Sequence, residues 1–253
     1  MNGKPNYGMQ SGNLQSPDQN FLGRTLSGSH YLEVLKNFHR YLQPRTYLEI
    51  GTNTGSSLDY VECPTIAIDP RFILKTSATG NRPATFFFQT TSDLFFRNHD
   101  PIRLLNDNID LAFLDGLHEA EALLRDFYNT EKYCNTNSII VLHDCVPTHR
   151  SMLSRADNGG GWTGDVWKVV CILKEYRPDI NIHTYDAAPT GLVCCTNLNP
   201  NSTSLRDNYS DIWKKWSKID MESYGYEKYI TECDIESTNL IASSEEIRRY
   251  YWL

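Results

Sequence analysis

Tyr47-Leu-Glu-Ile-Gly-Thr-Asn-Thr-Gly-Ser56 decides the fold. An apolar run stops at a glycine, and a helical pattern starts just beyond it. The stretch therefore reads as a buried strand, a tight turn and a helix start. Glu49, Gly51 and Gly55 follow the spacing acid-x-Gly-x-x-x-Gly. Gly51 lets the chain turn sharply and lets a ligand touch bare backbone. Gly55 keeps the helix start close to the strand, and Glu49 puts a carboxylate under the turn. The spacing departs from Gly-x-Gly-x-x-Gly, whose free helix N–H groups suit a pyrophosphate. A carboxylate at this place suits a cationic or hydroxyl-rich ligand.

Outward from this turn, apolar stretches alternate with helical patterns. The strands are predicted at Thr46–Ile50, Thr65–Ile68, Ala84–Gln89, Ile109–Leu114, Ser138–Leu142, Ile180–Tyr185 and Leu192–Thr196. Leu32, Leu35, Phe38 and Leu42 recur at helical spacing before the first strand, with Ser27 or Ser29 as cap and Pro44 as stop. Further helices are predicted over Glu119–Tyr133 and Gly164–Tyr176, the second capped by Asp165. The alternation implies a Rossmann-like, doubly wound α/β sheet, mostly parallel and seven-stranded. The last two strands are joined by the Pro189-Thr-Gly191 turn and form an antiparallel edge pair. Polar residues stand just after each apolar run: Glu49 to Gly51, Asp69, Ser92-Asp93, Asp115 and His143-Asp144. In such sheets ligands sit beyond the carboxyl ends of the strands, so the series points to one shared site. S-adenosylmethionine (SAM) carries both an ammonium group and a ribose, and fits it.

The chain has 253 residues, 40% hydrophobic and 22% charged, as a soluble α/β domain with appendages would. Its formal net charge of −7 argues against a nucleic-acid partner. No apolar run is long enough to span a bilayer. Residues 1–22 are rich in Asn, Gln, Ser, Gly and Pro and read as a flexible segment without a signal-peptide core. The seven cysteines are odd in number and scattered, and a reducing cytoplasm is the simplest fit. Adjacent Cys194 and Cys195 would face opposite sides of a strand. The composition divides the chain into residues 1–22, a domain over 23–198, and a helical extension over 199–253. Asn199 to Ser204 reads as a linker, and Asp211–Lys218 and Glu245–Tyr251 as short helices. This tail could cover the sheet edge, add to the substrate site or mediate self-association into a homo-oligomer.

Taken together, the strand, acid-x-Gly turn, Asp-terminated second strand and antiparallel closing pair resemble the class I SAM-dependent methyltransferases over about residues 45–197. The resemblance is closer to a bacterial subgroup of that superfamily. It rests on Tyr47 to Gly51, Ile109 to His118, Leu124-Arg-Asp-Phe127, Trp162-Thr-Gly-Asp-Val-Trp-Lys168, Arg177-Pro-Asp179 and Pro189-Thr-Gly191. It implies that Glu49, Gly51, Thr52, Thr54, Gly55 and Ser56 surround the methionine end of SAM. Asp69 would bond the ribose hydroxyls, Ser92 and Asp93 would flank adenine, and Asp115 would face the sulfonium. The plain alternatives are a turn residue for Asp69 and a helix cap for Asp93.

Methyl transfer to a hydroxyl needs alignment and removal of a proton, by a base or by a metal. Asp115 and Asp144 end adjacent strands and would make a Mg²⁺ site. The metal-dependent catechol-type methyltransferases are similar, with an Asp after each strand, an amide after the second and a basic residue three after the first. His118 holds the basic position and suits a general base. Cys145 stands at the amide position, and thiols are poor Mg²⁺ ligands. His143 or water would then complete the shell, or a softer ion such as Zn²⁺ or Mn²⁺ would replace Mg²⁺; a metal-free site stays open. His143 reads otherwise as a buried residue orienting Asp144, and His118 as a helix N-terminal residue bonded to backbone. Trp162 beside the Gly159 to Gly161 run is a lid candidate, and Trp167 a core residue of its helix. The acceptor expected is a small hydroxylated molecule, a sugar or glycan-linked group first and an aromatic second. The alternatives are a metal-dependent hydrolase or lyase using Asp115, His118, His143 and Asp144, and a non-catalytic SAM-binding scaffold. An NAD-linked oxidoreductase lacks its glycine triplet here.

Overall fold

The computed structural model describes residues 25–156 and 161–253. The flexible segment expected over 1–22, and Gly159 and Gly160 of the expected hinge, lie outside the described residues. The strands are β1 (Tyr47–Ile50), β2 (Thr65–Ile68), β3 (Thr85–Phe88), β4 (Ile109–Leu114), β5 (Cys134–His143), β6 (Asn181–Tyr185), β7 (Leu192–Thr196) and β8 (Ile235–Glu236). The helices are α1 (Tyr31–Leu42), α2 (Ser92–Asn98), α3 (Pro101–Leu105), α4 (Ala120–Glu131), α5 (Trp167–Tyr176), α6 (Ser204–Asp207), α7 (Tyr209–Trp216), α8 (Met221–Tyr224), α9 (Tyr226–Cys233) and α10 (Ser244–Ile247).

All the strands join one sheet of order β3-β2-β1-β4-β5-β7-β6-β8. The first five run parallel, β7 is antiparallel to both β5 and β6, and β8 is parallel to β6. Strands β1, β2 and β4 are buried along their whole length, as continuous apolar runs between two helical layers must be. The sheet therefore has eight strands where the sequence predicts seven. Ile235–Glu236 is too short for its periodicity to show, and it pairs with β6, so the antiparallel strands do not end the sheet.

One apolar cluster packs α4, α5 and the tail residues Ile212, Trp216, Tyr226 and Tyr229 on one face of the sheet. The other packs α1, Ile241, Ile247 and Tyr251 on the opposite face. Cys194 and Cys195 fall into opposite clusters, as the strand reading requires, and all seven cysteines are free and buried. The tail thus covers the sheet edge and both faces. Trp167 is core, packed against Trp216 and Tyr229. No helix among the described residues is long and apolar enough to cross a membrane.

Local details differ from expectation. His30, and not Ser27 or Ser29, caps α1 by accepting the Leu32 N–H. Ser29 is instead engaged through its own N–H, which donates to Thr238 Oγ1. The segment after Gly55 is only a 3-10 turn, Ser56–Tyr60, since Pro64 follows too closely for an α-helix to extend. Gly55 needs to be glycine for its left-handed backbone (φ +78°), since a Cβ there would crowd only the side-chain ends of Leu74 and Thr76.

Candidate active site

The chain winds outward from β1 through β2 to β3, then resumes at β4 on the other side of β1. This is the switch point at which such sheets open a crevice. Gly51 sits there with φ +88°, and a Cβ on it would lie 1.9 Å from the Asp115 carbonyl oxygen. The missing Cβ thus leaves room for the end of the neighbouring strand. A cavity of about 1020 Å³ lies above this point.

Gly51, Thr52, Thr54, Ser56, Asp69, Ser92, Asp93, Asp115, His118, His143 and Asp144 all line the cavity. Glu49 and Gly55 do not. Glu49 is fully buried beneath the floor and accepts hydrogen bonds from Tyr47 Oη (2.7 Å) and Ser57 Oγ (2.8 Å). Burial pushes its carboxyl up despite these bonds. Thr52 Oγ1 is itself buried, and with Tyr47 and Ser57 it pulls against the rise of the Glu49 carboxyl.

Asp69 ends β2, and its two oxygens accept the backbone N–H of Asn53 (2.7 Å) and Arg71 (2.6 Å). It pins the Thr52–Thr54 loop to β2 while facing the cavity, so the turn role and the ligand-facing position coexist. Thr91, and not Ser92 or Asp93, caps α2. Both Asp93 oxygens take Arg125 Nε (3.0 and 3.1 Å), and Arg125 Nη1 donates to Tyr209 Oη (2.8 Å).

The other end of the cavity holds a carboxylate–imidazole cluster. His118 Nδ1 lies 2.7 Å from the Trp162 carbonyl oxygen. A carbonyl only accepts, so Nδ1 carries the proton and Nε2 faces Asp144 Oδ2 (3.0 Å) and Asp115 Oδ1 (3.7 Å). His143 Nδ1 donates to Asp115 Oδ1 (3.0 Å). Thr190 Oγ1 donates to Asp144 Oδ1 (2.6 Å) and receives His143 Nε2 (3.4 Å). His143 therefore orients Asp115 more than Asp144. Burial alone would lower its imidazole, but Asp115 and Asp144 outweigh burial and raise it to about 10. His118 is raised for the same reason, with burial opposing its two carboxylates. Burial likewise would raise Asp115, and the two imidazoles hold it down at about 2. Asp144 is non-glycine at φ +59°, a left-handed turn that aims its carboxylate into the cluster.

Asp115, His118 and Asp144 each present a ligand atom within 4.8 Å of the others, which fits a divalent cation. Cys145 does not join them. Its Sγ donates to the His143 carbonyl oxygen and it packs in the core.

Residues the sequence reading missed complete the geometry. The Trp162-Thr-Gly-Asp165 run is a buckle on the His118 loop. Trp162 carbonyl takes the imidazole, and Gly164 (φ +57°) would place a Cβ 1.7 Å from the His118 carbonyl oxygen. Asp165 Oδ1 accepts the Ala120 N–H (2.9 Å), so it caps α4 and not the following helix. Its distance from Ala120 in sequence hides that role. Tyr31 of α1 packs at a tilt against His143 with ring centroids 4.2 Å apart, and Trp162 does so against His118 at 4.6 Å. Both rings line the cavity.

With this geometry in view, the comparisons are specific. Residues 48–145 match the family model described as a methyltransferase domain. Over these residues, less than half of the chain, the protein is similar to that family. No curated protein matches the chain. Among solved structures, the cofactor-bound protein Rv0187 from MTB aligns with a TM-score of 0.50 and 12% identity, over 71% of this chain and 86% of that one. The O-methyltransferase TomG from Streptomyces achromogenes, in complex with SAM, aligns at 0.48 and 15% identity over 67% and 80%. An O-methyltransferase from Bacillus cereus in complex with SAH aligns at 0.46 and 12% identity over 65% and 79%. At such identities the likeness to Rv0187 speaks for the fold. The match ends at residue 145, so Asp165, Thr190 and Tyr209 lie outside the matched residues.

Proposed function

We propose that the protein is an O-methyltransferase that moves the SAM methyl group to a small hydroxylated acceptor, a sugar or glycan-linked hydroxyl first and an aromatic one second. The observation that carries this is the Asp115–His118–Asp144 cluster abutting the same cavity as the acid-x-Gly turn and Asp69. In this reading Gly51, Thr52, Thr54 and Ser56 hold the methionine end of SAM, with Glu49 beneath and Gly55 behind. Asp69 faces the ribose, Ser92 and Asp93 flank adenine, and Asp115 faces the sulfonium.

Asp115, Asp144 and His118 would hold a divalent ion. Such an ion, when bound, lowers the pKa of a coordinated hydroxyl. Two carboxylates and an imidazole admit Mn²⁺ or Zn²⁺ as well as Mg²⁺. Without an ion, His118 Nε2 is the base once its own proton has passed to Asp144 Oδ2 (3.0 Å), with Nδ1–H held on the Trp162 carbonyl. His143 stays engaged with Asp115 and Thr190 and positions the carboxylates. Tyr31 and Trp162 offer ring faces on which a sugar or phenol would rest. A hydrolase or lyase on the same four residues leaves the acid-x-Gly turn without a role.

The test is calorimetric titration of the folded protein with SAM and with SAH, with and without Mn²⁺ or Mg²⁺. Radiolabelled methyl transfer to a panel of sugars and phenols follows. Binding of neither nucleoside overturns the proposal. Binding without transfer to any acceptor leaves a scaffold.

A further inference from the structure

The Leu124-Arg-Asp-Phe127 run has no part in the chemistry above, although it is one of the features that marks the chain. Leu123, Leu124 and Phe127 of α4 enter the core, whereas Arg125 and Asp126 line the cavity. Asp126 is 3% exposed, too buried for a solvated surface acid. It lies against bare backbone, since a Cβ on Gly116 would sit 3.5 Å from its Oδ2. Ser92 lines the same cavity and pulls against the rise of the Asp126 carboxyl. Asp93, the acid that the family resemblance assigns to adenine, is already clasped by Arg125.

We propose that Asp126, with Ser92 beside it, is the residue that reads the amino edge of the adenine ring in the bound nucleoside. A protonated carboxyl offers an O–H beside a C=O. Adenine offers a ring-nitrogen acceptor beside the N6 amino donor, so the two edges pair at two points. A 1-deazaadenine ring keeps the amino group but has a C–H in place of N1, so it leaves the carboxyl O–H without an acceptor. Burial, with Asp93 adding to it, raises the Asp126 carboxyl to about 7 against the pulls of Ser92 and Arg125, so the protonated form exists near neutral pH. The charged groups facing it are Asp93, from the β3–α2 junction, and Arg125, on its own helix. The inference rests on the SAM-binding reading and extends it to the choice of base.

The experiment is calorimetric binding of SAH and of its 1-deazaadenine analogue to the full chain, at pH 6 and pH 8. Wild type is expected to prefer SAH by about 30-fold or more, more strongly at pH 6. Asp126→Ala should bring that preference below about threefold, while Asp126→Asn, which also presents a donor beside a carbonyl, should keep it within about fivefold and lose its pH dependence. Should the alanine variant fail to fold, the pH profile of wild type against Asp126→Asn decides alone. An unchanged preference in Asp126→Ala, or identical pH profiles for wild type and Asp126→Asn, overturns the assignment of Asp126 while leaving SAM binding standing. Failure of wild type to bind either nucleoside overturns both.

Discussion

Replacing Asp165 by alanine tests how the loop that carries His118 is held. One Asp165 oxygen caps α4 through the Ala120 N–H, and the other takes Lys168 Nζ (2.9 Å) and Arg155 Nη1 (2.7 Å). The Asp165 and Lys168 side chains are 8% and 7% exposed, whereas Arg155 is 45% exposed. Loss of the cap costs about 1 kcal/mol. Stranding the buried Lys168 ammonium costs about 3–5 kcal/mol. The Arg155 pair, screened by water, adds well under 1 kcal/mol. The contributions overlap, so Asp165→Ala should lose about 4 kcal/mol, a large share of the ~5–15 kcal/mol that holds a domain together. Lys168→Met in that background removes the stranded charge and should restore at least about 2 kcal/mol. The assay is urea unfolding, read from the midpoint at constant slope. Burial alone would raise the Asp165 carboxyl, but the Ala120 N–H, Lys168 and Arg155 hold it below the usual range. A folded pKa depressed in this way gives stability that is complete above the unfolded value and lost as pH falls through the folded one. The gap between wild type and Asp165→Ala should therefore narrow below about pH 4. A loss under about 1 kcal/mol at pH 7, or no recovery on adding Lys168→Met, refutes the reasoning.

Tyr209→Phe removes the acceptor of Arg125 Nη1; SAM affinity should weaken about 3- to 10-fold with kcat unchanged, and an unchanged Kd sinks the coupling of tail to cofactor end. Asp126 has a folded pKa raised from 3.8 to about 7 by burial, so folding favours its neutral form. The penalty is absent below the unfolded value, grows as pH rises toward 7 and is then constant, at no more than about 4 kcal/mol. Asp126→Asn should thus gain stability over wild type as pH rises from about 4 to 8, and a gain that is flat with pH contradicts the buried-acid account. His118→Ala should spare SAM binding and reduce kcat by about 10²- to 10⁴-fold; wild-type turnover would falsify its place in the reaction. Cys145→Ser should leave divalent-ion affinity within about twofold, because the thiol points to the His143 carbonyl; collapse of that affinity makes the thiol a ligand.

The parallel core was legible because β1, β2 and β4 are short apolar runs that end in Gly or Asp, and burial on both faces demands that pattern. The same polarity break marked Asp69, Asp115 and Asp144, which line one cavity. The rest was hidden for separate reasons. β8 has two residues, too few for alternation to register. Asp165 was read as a cap for its own helix, since local spacing is all that a sequence offers, and it caps a helix forty-five residues earlier. Glu49 kept its place under the turn, but Tyr47 and Ser57 absorb its oxygens, which only side-chain directions reveal. Cys145 follows Asp144 in sequence yet turns away from it, because the left-handed Asp144 backbone reverses the chain's course there.

That left-handed residue also explains why the tail, set apart by composition, belongs to the site. A non-glycine at φ +59° persists only where its surroundings over-determine it. Thr190, on the turn before β7, fixes the Asp144 carboxylate. Tyr229 of α9 donates to the Cys145 carbonyl, and Tyr226 donates to the Pro147 carbonyl. Each bond anchors backbone within three residues of Asp144, and each tyrosine is buried in the cluster shared by α4 and α5. The boundary near residue 199 is therefore one of composition and not of packing. The aromatic residues beyond it hold the strained strand end at which the second carboxylate of the cluster is presented.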